Sequence, residues 1–113
     1  MTWACLDDGF HDDHRGIEAG LAAVGIYTRM TCYVSRHLLD GVLPKAVLGR
    51  LLDDGDMAPI DALMRVGLVE ESDDGAAYAL PDYFKHGNVP RAEVERRRRN
   101  GKRGAVKRWS KSG

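Results

Sequence analysis

The apolar residues between Leu21 and Leu39 recur at steps of three and four positions, which is the spacing of one face of an α-helix. The series runs through Leu21, Val24, Tyr27, Met30, Val34 and Leu38. Other apolar residues, Cys32 among them, occupy the remaining sides, and a helix that is apolar on most sides is usually buried. The pattern therefore predicts a buried central helix that encloses Cys32 and ends at Asp40-Gly41, where glycine accepts a left-handed backbone.

Shorter patterns on either side of this helix predict the other elements. Trp3 to Leu6 is short and apolar and predicts an edge strand, and Asp13 is placed to cap the helix start that follows it. Two short helices are predicted, from Pro44 to about Leu52 and from Pro59 to Val66, because proline suits the first position of a helix. Residues 68–80 predict a β-hairpin, since they contain an Asp-Gly pair, which is a strong turn signal.

This order of elements indicates a fold class. Two short helices joined by a tight turn and followed directly by a hairpin are typical of a helix-turn-helix with a wing. We therefore predict a mostly α fold with a β-hairpin, in which residues 1–88 form a winged helix-turn-helix domain. Lys85 to Pro90 has the composition of a linker, and residues 89–113 are predicted to form a basic C-terminal helix or tail whose helix starts at Arg91.

Length and composition narrow the class of protein. The 113 residues suit one domain, and they contain no apolar run of about 18 residues that could span a membrane. The N-terminal residues lack the pattern of a secretory signal, and two cysteines are too few for a disulfide framework. We therefore expect a cytoplasmic protein without membrane association. The motifs of a phosphate-binding loop and of an esterase nucleophile are absent, so we expect neither enzymatic activity nor a cofactor.

The net charge of zero conceals a separation of charge along the chain. Residues 1–90, the acidic body, hold seven Lys/Arg against fifteen Asp/Glu and carry a net charge of −8. Residues 91–113 hold ten Lys/Arg against two Glu and carry +8. A basic segment attached to an acidic domain indicates that this segment binds a polyanion such as nucleic acid.

The basic segment contains the residues predicted to contact DNA. Four consecutive arginines advance by about 100° each along a helix, so they leave no apolar stripe to bury and can contact phosphates. We expect duplex rather than single-stranded DNA, with Trp109 stacked on a base or packed on the body; the alternatives for the segment are docking on the body and simple solvation. The predicted DNA-binding residues are Arg96, Arg97, Arg98, Arg99, Lys102, Arg103, Lys107, Arg108 and Trp109, with Arg65 and Lys45 as helper contacts.

Several short stretches together resemble a known family. They are Trp3, Leu6 to Phe10 with His14, Thr31-Cys32-Tyr33, Arg36 to Gly41, Gly67-Leu68-Val69, and Arg91 to Glu95 before the basic run. In these residues the chain resembles the helix-turn-helix (winged-helix) proteins of actinobacterial phages and prophages, which are described as replisome-organiser or replication-initiation-like. The resemblance covers nearly the whole chain. It implies a winged-helix fold and a DNA-associated role in phage replication or regulation, and it transfers no catalytic residues.

One feature departs from a DNA-reading helix-turn-helix. The predicted recognition helix, Pro59 to Val66, and its approach hold Asp53, Asp54, Asp56 and Asp61, with Arg65 as the sole cation. Carboxylates oppose the approach of a helix to phosphates. Either this helix does not enter DNA, or Arg65, Lys45 and Arg50 make a weak contact elsewhere. A further alternative is that this face is a protein-binding surface. The second hypothesis is therefore a protein–protein adaptor whose acidic body holds a basic host or replisome partner.

A dense group of potential metal ligands lies near the N-terminus. It consists of Asp7, Asp8, His11, Asp12, Asp13 and His14, with Cys5 and Cys32 as further candidates. The paired spacings of zinc sites are missing from it. We therefore expect a solvated acidic turn that caps the next helix, and no metal.

Overall fold

The computed structural model describes the backbone of residues 3–112 and the side chains up to Gly101. In this part of the chain, two 3-10 helices cover Asp8–Asp12 and Lys45–Arg50. The α-helices are α1 (His14–Ala19), α2 (Leu21–Arg36), α3 (Ala58–Val66) and α4 (Arg91–Ser112), and the strands are β1 (Val42–Pro44), β2 (Glu70–Glu71) and β3 (Ala77–Ala79). The chain is thus mostly helical with a small antiparallel sheet, which confirms the predicted balance of elements.

Helix α2 is the centre of the core, as its periodicity predicts. Tyr27, Met30 and Val34 on this helix are fully buried, and α2 packs against both α1 and α3. They belong to one cluster with buried residues of the other elements, including Leu43, Leu48, Ile60, Leu63, Leu68, Val69, Tyr78, Leu80 and Tyr83. The cluster joins the helices to the sheet.

The end of α2 differs from the prediction. The helix stops at Arg36, and Leu38 takes the left-handed conformation with a φ of 54°. Leu38 N–H donates to the Ser35 carbonyl, and Leu39 N–H donates to the Val34 carbonyl at 3.1 Å, which is the hydrogen-bond pattern of a Schellman end. A leucine therefore holds the position that Gly41 was expected to fill.

Cys32 is a second correction on α2. It was predicted to be buried, but it is exposed. It lies three residues after Arg29 and four before Arg36, so all three share the face of the helix that points to solvent. Leu21, at the first position of α2, is also exposed, because no element covers it.

The sheet has the order β1-β3-β2, and both pairs are antiparallel. The hairpin formed by β2 and β3 confirms the Asp-Gly prediction. Strand β1 was not predicted: Pro44 ends this strand instead of opening a helix, and the six residues after it form a 3-10 helix instead of an α-helix. In β1 only Leu43 is buried, opposite Tyr78. All three residues of the strand are apolar, so its sequence does not show the apolar–polar alternation of a half-buried strand.

Helix α3 and its end confirm the prediction. The helix spans Ala58–Val66 with Pro59 in its first turn, and Gly67 follows it with a φ of 84°. The left-handed Gly67 lets Leu68 N–H donate to the Leu63 carbonyl at 3.0 Å. Leu63 and Leu68 are both fully buried. The turn at Gly67 therefore also places Leu68 in the core.

Residues 3–7 do not form the predicted edge strand. Cys5 N–H donates to Asn88 Oδ1 at 2.8 Å, and Asn88 Nδ2 donates to the Cys5 carbonyl at 3.0 Å and to the Tyr83 carbonyl at 2.8 Å. The amide side chain thus pairs with the Cys5 backbone as a neighbouring strand would. Asn88 is buried, so the predicted linker from Lys85 to Pro90 is packed on the body instead of connecting two separate parts.

No helix in the described part of the chain combines the length and the apolarity needed to cross a bilayer.

The substitution Asn88→Ala should lower the free energy of unfolding by about 2 kcal/mol, because it leaves three backbone groups without their hydrogen-bond partner. Urea unfolding followed by circular dichroism measures this change. The matched control is Asn100→Ala at an exposed site on α4, which should change the stability by less than about 0.5 kcal/mol. We call these three hydrogen bonds of the Asn88 side chain the Asn88 clamp. Equal effects of the two substitutions would contradict its contribution to stability.

Candidate nucleic-acid interface

The basic helix α4 is attached to the body at its first turn. Arg91 N–H donates to Asp40 Oδ1 at 2.7 Å, so a carboxylate from the loop after α2 caps the helix. The N–H groups of Glu93 and Val94 donate to the Pro90 carbonyl, and the Val94 side chain is buried. These contacts fix where the helix leaves the body. The predicted start at Arg91 is confirmed, and the helix continues through Gly101 to Ser112.

The first two turns of α4 contain ion pairs that neutralise part of their positive charge. Arg91 donates to Glu95 at 2.9 Å, while Arg96 and Arg97 donate to Glu93 at 2.5 and 3.1 Å. The hydrogen bond from Arg96, assisted by the charges of Arg96 and Arg97, lowers the pKa of Glu93 to about 2. The hydrogen bond from Arg91 lowers the pKa of Glu95. Arg96 and Arg97, two of the predicted DNA contacts, are therefore partly engaged within the helix.

Arg98 and Arg99 are exposed, and neither forms an ion pair with a carboxylate of the described residues. Successive residues turn by about 100° around a helix, so these two guanidinium groups leave α4 in different directions. Their charge is available to a phosphate. Further predicted contacts follow on the same helix, but their side chains lie outside the described residues: Lys102, Arg103, Lys107, Arg108 and Trp109.

The two helper residues lie on other elements. The Lys45 ammonium pairs with Glu71 of β2 and lies 4.9 Å from the centre of the Tyr78 ring. The hydrogen bond that Lys45 donates to Glu71 raises the pKa of Lys45, so this lysine is charged but engaged with the hairpin. Arg65 is exposed in the last turn of α3. Among residues 3–101, no hydrogen bond or ion pair connects Lys45 or Arg65 to α4.

The surface that leads into α3 is acidic, as the sequence indicates. Asp53, Asp54, Asp56 and Asp61 are all exposed. Asp56 Oδ1 accepts a hydrogen bond from Ala58 N–H at 3.0 Å and so caps the helix, while Asp53 lies 3.5 Å from Arg29. Among the described residues one cation, Arg29, faces these four carboxylates, so the surface is net acidic, which opposes the approach of α3 to a phosphate backbone.

Sequence reasoning missed a second polar cluster, which is centred on Arg15. The Nη2 atom of Arg15 lies 2.7 Å from Asp13 Oδ2 and 2.6 Å from Asp82 Oδ2, and Asp82 is buried. The hydrogen bond from Arg15 lowers the pKa of Asp13 to about 2. Burial opposes the ionisation of Asp82, but the hydrogen bond and charge of Arg15 outweigh it and lower the pKa of Asp82. The local signal was that Arg15 is the one cation among many carboxylates at this end of the chain.

The structure gives the acidic N-terminal segment a structural role. Asp13 caps α1 by accepting from Arg15 N–H, as predicted, and Asp7 N–H donates to His86 Nδ1 at 2.9 Å. His86 Nε2 lies 3.0 Å from the hydroxyl of Tyr27, whose burial raises its pKa to about 12. Within the described residues, no three His, Cys, Asp or Glu side chains are grouped so that they could hold a metal ion.

Comparisons of this chain with protein-family models, with curated proteins and with solved structures find no match. Its function is therefore inferred from its own residues.

The carboxyl group of Glu93 should titrate near pH 2 in the folded chain, and carbon-detected NMR of the side chain measures this midpoint. Because this pKa lies below the ordinary value, the stability that the ion pair contributes is present above about pH 4.5 and is lost as the pH falls through about 2. Arg96→Gln should raise the midpoint toward the ordinary value, whereas Arg99→Gln should leave it in place. A midpoint at the ordinary value in the unmodified chain would rule out the pairing of Glu93 with Arg96.

Proposed function

We propose that this chain is a winged-helix DNA-binding protein that uses the arginines and lysines of α4 to bind the phosphates of duplex DNA. The observation that carries the proposal is the state of Arg98 and Arg99, which are exposed and without a carboxylate partner on a helix anchored to the body by Asp40. Guanidinium groups bind phosphate oxygens through several donors, and the released counterions drive the association.

The order of the elements supports the winged-helix part of the proposal. After α2 come β1, the 3-10 helix Lys45–Arg50, α3 and the hairpin of β2 and β3. In this assignment α3 is the second helix of the helix-turn-helix and the hairpin is the wing, which pairs with β1 through β3. The first helix of the motif is then a 3-10 helix of six residues, which is shorter than a usual α-helix.

The acidic surface around α3 favours α4 over α3 as the source of the phosphate contacts. A helix that reads the major groove must pass two phosphate backbones, and the exposed Asp54 and Asp61 would be repelled there. In the proposed complex α3 lies away from the groove, and Arg65 and Lys45 add only modest attraction. Phosphate contacts give affinity without sequence readout, so we expect binding to DNA of any sequence.

The resemblance to winged-helix proteins of actinobacterial phages favours a role in replication initiation or regulation. Both roles require binding to DNA, and neither requires a catalytic residue in this chain. We therefore propose a binding protein and not an enzyme.

Arg98→Gln/Arg99→Gln in the full chain should weaken binding to a duplex and flatten its salt dependence. The slope of log K against log salt should lose about 0.9 for each phosphate contact removed. Fluorescence anisotropy of a labelled duplex at four salt concentrations measures both effects. Glutamine keeps the helix because its helix propensity is close to that of arginine.

The matched control for this experiment is Arg36→Gln/Arg50→Gln, which removes the same charge from two exposed positions on the body. It should change the slope much less than the α4 variant does. If both pairs had the same effect, the attraction would come from net charge alone. If the unmodified chain bound no duplex at low salt, the proposed function would be wrong.

The acidic surface favours a second candidate function, a protein–protein adaptor for a basic partner. Asp54→Asn/Asp61→Asn in the full chain tests it against a lysine- and arginine-rich peptide. An adaptor should bind the peptide, lose affinity in this variant and keep it in Arg98→Gln/Arg99→Gln. Our first proposal expects no such loss, and duplex affinity within about twofold of the unmodified chain, since two carboxylates away from the contact act only through screened charge.

A further inference from the structure

A groove lies where the N-terminal segment meets the start of α4. Its volume is about 630 Å³, which is within the range of small-molecule sites. The buried residues that line it are Tyr83, Ser35 and Val94, with the half-buried Cys5, Leu38 and Val89 beside them. The exposed side chains that line it are those of Trp3, Arg97 and Arg98, so a base of apolar residues and Ser35 is bordered by one aromatic ring and two cations.

The charges of this groove are all of one sign. Arg97 and Arg98 are the only charged residues that line it in the described part of the chain. A second cavity, of about 670 Å³, is lined instead by a mixture of cations and carboxylates that includes Arg15, Asp13 and Asp82. The groove at Trp3 therefore complements a ligand that has both an anionic group and an apolar part.

Trp3 is held beside this groove with its ring largely free. Its side chain is 80% exposed, although Cys5, two residues further on, is fixed by its two hydrogen bonds to Asn88. An exposed indole next to arginines is the arrangement on which unpaired bases stack in single-stranded nucleic acid sites. A base pair inside a duplex offers no such face, because both of its faces are stacked on neighbouring pairs.

From this arrangement we infer that the groove binds one unpaired nucleotide, with its base against Trp3 and its phosphate at Arg98, while Arg97, which also pairs with Glu93, adds positive charge. The inference rests on the proposed function and refines its ligand. Arg98 lines the groove and is followed on α4 by the exposed Arg99, so one DNA molecule can contact both the groove and the helix. The preferred ligand is then a duplex with an unpaired end, in which α4 binds the paired part and the groove binds the first unpaired nucleotide.

Two labelled probes test the inference with the full chain: a blunt duplex and the same duplex with a four-thymine overhang. Anisotropy titrations should give about tenfold tighter binding to the overhang probe, which is the size of one base–aromatic stacking contact. Trp3→Ala should remove this preference and leave blunt-duplex affinity unchanged. Trp3→Phe should keep most of the preference, because phenylalanine also stacks. Leu21→Ala, at another exposed apolar site, is the control and should keep all of it.

The outcomes of this experiment distinguish a failure of the groove inference from a failure of the proposed function. Equal preference for the overhang in the unmodified chain and in Trp3→Ala would overturn the groove inference while duplex binding stands. Binding of neither probe would overturn the proposed function itself. A competition experiment compares an acidic, tryptophan-containing peptide with a short thymidine oligonucleotide. If the peptide displaced the overhang probe and the oligonucleotide did not, the groove would bind a protein ligand and the inference would be overturned.

Discussion

The cap that Asp40 places on the first turn of α4 is the interaction on which the position of the basic charge depends. Beyond Val94 the described part of this helix has no buried side chain, and its arginines repel one another. Such a helix has no apolar face with which to pack along the body. The contacts at its start, the Asp40 hydrogen bond and the burial of Val94, therefore set the direction in which the cations project. The Asn88 clamp supports this junction from the other side, because it fixes the N-terminal segment next to it.

The separation of charge seen in the sequence persists in the folded chain. Every ion pair among the described residues lies either wholly within the body or wholly within α4. In the body, Arg15 bridges Asp13 and Asp82, and Lys45 pairs with Glu71; in α4, the two glutamates take arginines from their own helix. The body carboxylates thus do not neutralise Arg98 and Arg99, whose charge remains available to a polyanion. This is the physical basis for preferring nucleic acid over a helix folded back on an acidic domain.

Local patterns predicted the elements that depend on neighbours in sequence, and missed those that depend on distant residues. The sequence predicted three such features correctly: the periodicity of α2, the end of α3 at Gly67 and the Asp-Gly hairpin. Strand β1 and the Asn88 clamp were not, since each joins residues far apart in the chain. In the candidate site, the run of arginines predicted the basic helix. Nothing local showed that Lys45 is engaged by Glu71 across the sheet or that Trp3 and Arg98 line one groove.

The central claim is that α4, and not α3, carries the contact with DNA. An NMR titration of the isotope-labelled full chain with a mixed-sequence duplex tests it most directly, because backbone amides and arginine Nε–H groups report on each residue. We predict shifts concentrated in α4 from Arg96 onward, with the amides of Ala58–Val66 nearly unchanged. Large shifts in α3 together with an unperturbed α4 would contradict the account.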